Sequence, residues 1–298
     1  MRRTSVFIQK SYRTEDTGEL YLVPTPIGNL SDMTFRAIDV LRDADLILTE
    51  DTRHTRKLLT HFEIDTPMQS FHKFNTAQRI PEVIERLKRG KVLAEVSDAG
   101  MPIISDPGQA LVEACVKEHL PVIPLPGANA GLTGLVASGL PGERFTFIGF
   151  PPRQKKALLG VLTQYKDAEE TLIFYESPYR LKETLKQCAF VFGEERQAVV
   201  ARELTKQYET FYRGDLAELI AYSYQVKEIK GEICLLIAGT TQHEVDDALA
   251  AQRDLPYEEQ VDWVMANENL SAKEAIKRVA KRNDVPKQTV YAAYHHIN

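Results

Sequence analysis

Apolar residues in this chain fall into short runs that repeatedly stop at proline, glycine or polar residues. LYLV at residues 20–23, DLILTED, KVLAEV, PVIPL and RFTFIGF each read as a buried strand. Between them the apolar positions recur with helical spacing. Phe35, Ile38 and Leu41 share a face behind a cap at Asp32 or Thr34, and Val83, Ile84 and Leu87 share one before a stop at Gly90. Further helices are expected at 109–119 and around Leu132 to Ser138, and the polar aromatic stretch 66–76 reads as a loop or short strand. Strands alternating with helices predict a parallel sheet, with RFTFIGF as its fifth strand and PPRQKK as the exit from the domain. Right-handed crossovers make such strands parallel, so their far ends share one edge.

A second set follows. A helix from about Gln154 to Lys166 precedes the strand and turn TLIFYESPYR, a helix at 180–191 and the strand AVVARELTK. YETFYRG reads as a hairpin arm, 215–222 as a helix and KGEICLLIAG as a last strand. Fewer helices separate these strands, which predicts a mixed sheet with antiparallel pairs. Residues 244–270 are acidic and lack β-branched runs, whereas 271–298 are basic. Ala275, Ile276 and Val279 mark one helix face, Asn283 to Pro286 a turn, and Val290 to His296 a second helix. This is either a helix-turn-helix in which Lys273, Lys277, Arg278, Lys281, Arg282 and Lys287 meet RNA phosphates, or a solvated basic cap. The expected organisation is a polar tail at 1–18, α/β domains at 19–151 and 152–240, and a small helical domain at 245–298.

The strand ends hold the candidate chemistry. In PTPIGN, Pro24 and Pro26 stiffen the loop and remove amide donors, while Gly28 permits a backbone conformation closed to side chains. SDAGMPIISDPG places Ser97, Asp98, Gly100, Pro102, Ser105, Asp106, Pro107 and Gly108 in one segment after a strand, which reads as a binding loop. Glu50 and Asp51 close the second strand, either as charge at a helix N-terminus or as a polar wall of a substrate cleft, with Arg53 beside them facing the ligand.

Composition narrows the class. With 298 residues, 43% apolar and 27% charged, the chain has the make-up of a globular protein of two domains and a small third. A net charge of −5 argues against a uniformly basic surface but leaves room for a local phosphate-binding patch. Cys115, Cys188 and Cys234 have no CxxC spacing and read as buried thiols of a reducing cytoplasm. No metal-ligand cluster and no apolar run long enough for a membrane helix is present. GxxxxGK[ST], GxGxxG and GxSxG are all missing, which argues against a Walker ATPase, a standard Rossmann dehydrogenase and a serine hydrolase. Three proline- and glycine-rich loops on one edge suit a ligand that is part cation, part carboxylate and part purine.

VPTPIGNLSDMTFRA, TEDTRHT, VSDAGMPIISDPG, PLPGANA, FYESPYR, ARELTK and KGEICLLI occur in an order that resembles the tetrapyrrole-methylase superfamily, in its ribosomal RNA branch. The resemblance covers about residues 20–239 and, more loosely, 245–298. It implies a homodimeric two-domain α/β enzyme that uses S-adenosylmethionine to methylate the ribose 2′-oxygen of a decoding-centre cytidine in the 16S rRNA of the 30S subunit. It also implies a cofactor site at Pro24, Thr25, Pro26 and Gly28, at Ser97, Asp98, Ala99, Gly100 and Pro102, at Gly127, Ala128 and Asn129, and at Tyr175, Arg202 and Thr205. Met101 stands where the family pattern often has Thr. Asp98, Glu50, Asp51, Glu203 and Lys206 are the candidates for the base that such a reaction needs, with no choice among them. Two other readings stay open: methylation of a small tetrapyrrole by the same fold, and a non-enzymatic metabolite sensor whose terminal helices bind nucleic acid.

Overall fold

The computed structural model describes residues 8–11, 17–226, 229–240, 255–268 and 270–296, so most of the expected polar tail and of the acidic stretch before residue 255 lies outside the described residues. Two compact units are present, one holding both sheets up to Ala238, the other holding Asp167–Glu169 and the residues from Gly239 on.

β1 (Leu20–Val23), β2 (Leu46–Thr49), β3 (Met68–Ser70), β4 (Leu93–Val96) and β5 (Val122–Pro124) form a parallel sheet in the order β3-β2-β4-β1-β5. On one face Leu20, Leu48 and Leu93 pack with Val83 and Leu87 of α3 (Thr76–Lys88) and Leu111 of α4 (Gln109–Lys117). On the other, Val23, Ile47 and Ala94 pack with Ala37 and Leu41 of α1 (Phe35–Asp43) and Leu59 of α2 (Thr52–His61). Cover on both faces explains why these strands read as continuous apolar runs. Thr34 caps α1 by accepting from the Ala37 amide at 3.1 Å. Phe35 was expected in the core but is 89% exposed, because the first turn of α1 leaves its leading residue in solvent and the core is filled by Ala37 and Leu41.

The second sheet has the order β6-β7-β10-β8-β9, built from β6 (Phe145–Gly149), β7 (Thr171–Glu176), β8 (Gln197–Arg202), β9 (Thr210–Asp215) and β10 (Ile233–Ile237). Only β6 and β7, joined through α6 (Lys155–Gln164), are parallel; the other pairs are antiparallel, so the sheet is mixed as expected. RFTFIGF, expected to complete the first sheet, is therefore an edge strand of the second. The α5 helix (Ala130–Ser138) leaves the first sheet and packs Leu135 against Ile173, Val199 and Leu236, and Gly139 ends it with φ 86°, so the chain re-enters beside β7. The fifth place in the first sheet belongs to the short β3. Two further helices, α7 (Leu181–Phe192) and α8 (Leu216–Gln225), complete this layer.

Strands β1 and β4 are neighbours, yet the chain leaves β1 toward α1 on one face and β4 toward α4 on the other. Such a parting of loops opens a crevice at the carboxyl edge, where open α/β sheets hold ligands. Across it Thr25 and Gly100 exchange two backbone hydrogen bonds of 2.9 and 3.0 Å, the Thr25 hydroxyl donates to the Ser97 carbonyl, and the Ser97 hydroxyl donates to the Gly100 carbonyl. A Cβ added at Gly127 would lie 2.4 Å from Cβ of Pro24, and one at Gly28 would lie 2.4 Å from Cγ of Lys206. Gly28 is thus required for close approach, not for the positive φ expected of it, since it is absent from the residues with positive φ.

In the helical unit, α9 (Tyr257–Glu268), α10 (Ala272–Arg282) and α11 (Lys287–Tyr294) enclose Val261, Val264, Ala275, Ile276, Val279 and Val290. A Ser271–Glu274 capping box starts α10. The turn between α10 and α11 matches the expected helix-turn-helix outline, and the acidic stretch supplies a third helix that the charge pattern concealed.

Two measurements test this framework. Gly127→Ala drives a methyl group into the Pro24 ring, and a loss of about 1–3 kcal/mol in urea denaturation is expected; an unchanged midpoint would mean that the two loops are not in tight contact. Glu95, 3% exposed in the middle of β4, has one carboxylate oxygen without a partner among the described residues, and burial pushes its pKa up to about 8. Between the unfolded carboxyl value and pH 8 the native state binds the extra proton, so stability falls as pH rises through this window. Glu95→Gln should therefore gain on the order of 3–4 kcal/mol relative to wild type on going from pH 5 to pH 8. A constant difference between the two proteins across that range would contradict it.

Candidate active site

The crevice opens into a cavity of about 410 Å³. One wall comes from the loop after β4, through Asp98, Ala99, Gly100, Met101 and Asp106. The opposite wall comes from the second sheet, where Tyr175, Glu176 and Ser177 end β7 and Gly231 to Cys234 lead into β10. Asn129 and Ala130, at the start of α5, close the space between the two sheets. Asn129 caps α5 by accepting from the Leu132 amide, which fixes that corner.

Tyr175 is held on three sides. Its hydroxyl accepts from the Gly131 amide at 3.1 Å, and Phe147 and Phe150 meet its ring edge-on with centroids 5.0 and 5.6 Å away. Burial raises its pKa, opposed by the Gly131 amide and reinforced by Cys234 and Asp106. Glu176 is buried at the strand end, where it accepts from the Ser177 amide and the Thr184 hydroxyl, with Arg180 at 3.4 Å. Apolar side chains such as Ile27, Ala201 and Leu204 line much of the cavity, and Asp98, Asp106, Asn129, Tyr175, Glu176 and Glu232 bring polar groups to it. Small-molecule sites of about 300–1,000 Å³ have this character.

Among the residues expected at a cofactor site, Asp98, Ala99, Gly100, Asn129 and Tyr175 line the cavity directly. Thr25, Ser97 and Gly127 stand behind it as the framework described above, with Pro24 against Gly127, while the neighbouring Ile27 supplies the lining from the opening loop. Pro26, Pro102 and Ala128 belong to the same loops without lining the cavity, though the Ala128 carbonyl lies 3.5 Å from the Cβ position of Gly100. Arg202 turns away, donating to the carbonyls of Lys230 and Tyr208. Thr205 has a positive φ of 65°, and its hydroxyl is buried without a partner among the described residues, as is Oδ1 of Asp98. Neither orphan is explained by the protein's own bonding.

The candidates for a base differ sharply in their surroundings. Asp51 caps α2 and accepts from the Arg53 side chain at 2.9 and 3.2 Å; these bonds hold its carboxyl at about 2, and they also engage the Arg53 guanidinium. Glu203 and Lys206 form an ion pair at 2.9 Å, extended by Glu232 at 2.8 Å. Burial would raise the Glu203 pKa, but the Glu232 amide and Lys206 together lower it. Burial would lower the Lys206 pKa, but Glu232 and Glu203 together raise it. Glu50 and Asp98 lie close enough to Asp106 to act on it electrostatically. Asp106 itself escaped sequence reasoning, which counted it as one turn former among many; the signal available was a second Asp in the same loop, ahead of a proline. In the helical unit Lys273, Lys277, Arg278, Lys281 and Lys287 are exposed and Arg282 is half-buried, its guanidinium 6.0 Å from the Trp263 ring.

Residues 19–220 match the family described as Tetrapyrrole (Corrin/Porphyrin) Methylases. The chain is 48% identical to ribosomal RNA small subunit methyltransferase I of Bacillus subtilis, over 99% of both chains. It is 47% identical to the protein of the same name from Halalkalibacterium halodurans, over 96% of this chain and 98% of that one. Among solved structures, a diphthine synthase shares the fold with a TM-score of 0.59 at 14% identity, covering 79% of this chain and 95% of that chain. The cobalt precorrin-4 methyltransferase CbiF shares it with a TM-score of 0.54 at 17% identity, over 74% and 94%. A uroporphyrin-III C-methyl transferase from Thermus thermophilus, complexed with S-adenyl homocysteine, shares it with a TM-score of 0.52 at 16% identity, over 74% and 97%. By the family match over most of its length and the near-half identity to end-to-end relatives, the chain belongs to the tetrapyrrole methylase family, alongside members named ribosomal RNA small subunit methyltransferase I.

Proposed function

We propose that the protein is an S-adenosylmethionine-dependent methyltransferase of small-subunit ribosomal RNA, and that it modifies the ribose 2′-oxygen of a decoding-centre cytidine, as a homodimer acting on the 30S subunit. The observation that carries this reading is an end-to-end match to relatives named for that class of activity in a chain whose cavity opens at the sheet's switch point. The residues present suit the donor. Asp98, in the cavity wall, offers a buried acceptor atom that has no partner among the described residues. The Asp98 carboxylate in the cavity wall favours a positively charged ligand, and the Ile27, Ala201 and Leu204 side chains suit an apolar ring.

When bound, S-adenosylmethionine supplies an electrophilic methyl carbon on a cationic sulfur. The chain's own residues must then hold the acceptor oxygen behind that carbon and accept its proton. Orientation of this kind lowers a barrier by about 7–11 kcal/mol. The stiff loops at Pro24, Pro26 and Pro102 reduce the freedom lost when the cavity fills. Tyr175, fixed by Gly131, Phe147 and Phe150, stays in place as the ligand enters. RNA phosphates are met by the basic residues of α10 and the start of α11, namely Lys273, Lys277, Arg278, Lys281, Arg282 and Lys287, and by Arg53 in the first turn of α2.

Incubation with methyl-labelled S-adenosylmethionine, undermethylated 30S subunits and, separately, a tetrapyrrole acceptor tests the reaction. Label recovered as 2′-O-methylcytidine after nuclease digestion is the expected result, and label on a nucleobase or on the tetrapyrrole alone would refute it. For the helical unit, the expectation concerns salt. Alanine at Lys273, Lys277 and Lys281 should flatten the plot of log affinity against log salt by about 0.7–0.9 for each phosphate contact removed. An unaltered slope would assign these lysines to the solvated surface instead.

A further inference from the structure

We propose that Asp106, on the loop after β4, is the group that takes the proton from the attacking hydroxyl, a role that rests on the methyl-transfer reading above. Asp106 lines the cavity and has neither a hydrogen-bond donor nor a cation partner among the described residues. That sets it apart from Asp51, engaged by Arg53, and from Glu203 and Lys206, engaged by each other. A carboxylate already satisfied by a cation is a weak base; a free one facing a cavity keeps its affinity for a proton.

The surroundings strengthen that affinity. Glu50 at the end of β2 and Asp98 in the same loop act on Asp106 by their charge, Asp106 acts in turn on Tyr175 of β7, and Glu176, Glu232 and Cys234 share the lining of the cavity. Burial, then the charges of Glu50 and Asp98, raise its pKa to about 6. At neutral pH it is ionised yet more basic than an ordinary aspartate, the condition a general base needs. Its backbone is closely determined as well. Ile103 and Ser105 hold φ values of 76° and 69°, unusual for residues with side chains, and Ser105 directly precedes Asp106. Pro107 restricts Asp106 from the other side, and Gly108, with φ 132°, lies so close to the buried Glu95 that an added Cβ would meet its carboxylate at 2.3 Å.

The step balances without a further reactant. As the ribose oxygen bonds to the methyl carbon, the carbon–sulfur bond breaks and its electron pair returns to sulfur, which becomes a neutral thioether. The hydroxyl proton passes to an Asp106 carboxylate oxygen and is released to water after the products leave.

The test combines turnover, cofactor affinity and direct titration. Wild type is assayed first on undermethylated 30S subunits; if it transfers no methyl group to RNA, the functional reading fails and this role fails with it. Given transfer, Asp106→Asn should lower the single-turnover rate by about 10²–10⁴-fold while changing the calorimetric Kd for S-adenosylmethionine less than threefold, and Asp106→Glu should restore part of the rate. The wild-type kcat/KM should fall as pH drops through about 6, an inflection missing in Asp106→Asn. Carbon-13 NMR titration of the free protein should show the same midpoint for Asp106, moved to lower pH by Glu50→Gln because a repelling charge is removed. A rate within threefold of wild type in Asp106→Asn, an inflection that survives in it, or equal losses of rate and of cofactor affinity would each overturn the proposal while leaving the functional reading intact.

Discussion

The pair of backbone hydrogen bonds between Thr25 and Gly100 governs the arrangement of this molecule's cavity. They join two loops that leave neighbouring strands toward opposite faces of the sheet, at the one place where the parallel ladder can no longer continue. Without that clasp the crevice would be a gap between two independent segments. With it, the loop after β4 has a fixed base from which Asp98 and Asp106 are presented. Buried backbone groups left unpaired are costly, so exchange of both amides across the crevice favours one arrangement over many.

Around the clasp, constraint comes from the absence of side chains as much as from their presence. Gly127 lets its loop rest on Pro24, and Gly28 lets the opening loop rest on Thr205 and Lys206. The loops of the first sheet therefore touch both one another and the turn after β8. The second sheet adds its own rigid part, the Tyr175 ring wedged between Phe147 and Phe150. A ligand entering this cavity meets walls already in position, which lowers the ordering cost of binding.

Much of this was legible in the residues. Strands covered on both faces are almost wholly apolar, and those at LYLV, LILT and VLAEV stop at a proline, an acid and a serine, so their existence and their common edge followed from pattern alone. What the pattern lacks is information about partners. A three-residue polar strand such as β3 carries no periodicity, and nothing in RFTFIGF says which sheet it joins; long-range pairing decides both. Gly28 looked like a conformational device and is a contact device, a distinction that depends on Lys206 and Thr205, far away in sequence. The same limit applies within the loop after β4, where Asp98 and Asp106 look alike as letters. The raised proton affinity of Asp106 comes from burial and from the charges of Glu50, on another strand end, and of Asp98. Glu95 was read as one more strand residue, and only its enclosure shows that it holds a proton near neutrality.

The segment ahead of β1 has a separate importance. β5 is an outer strand of the parallel sheet, and Val122 turns both its amide and its carbonyl outward, where the Gln9 side chain takes them at 2.9 and 2.8 Å. A bare strand edge invites another strand to add to it, in fibres as well as in crystals. One glutamine occupying both groups blunts that invitation, so losing that side chain alone would leave the fold's interior untouched and yet make the molecule more prone to self-association.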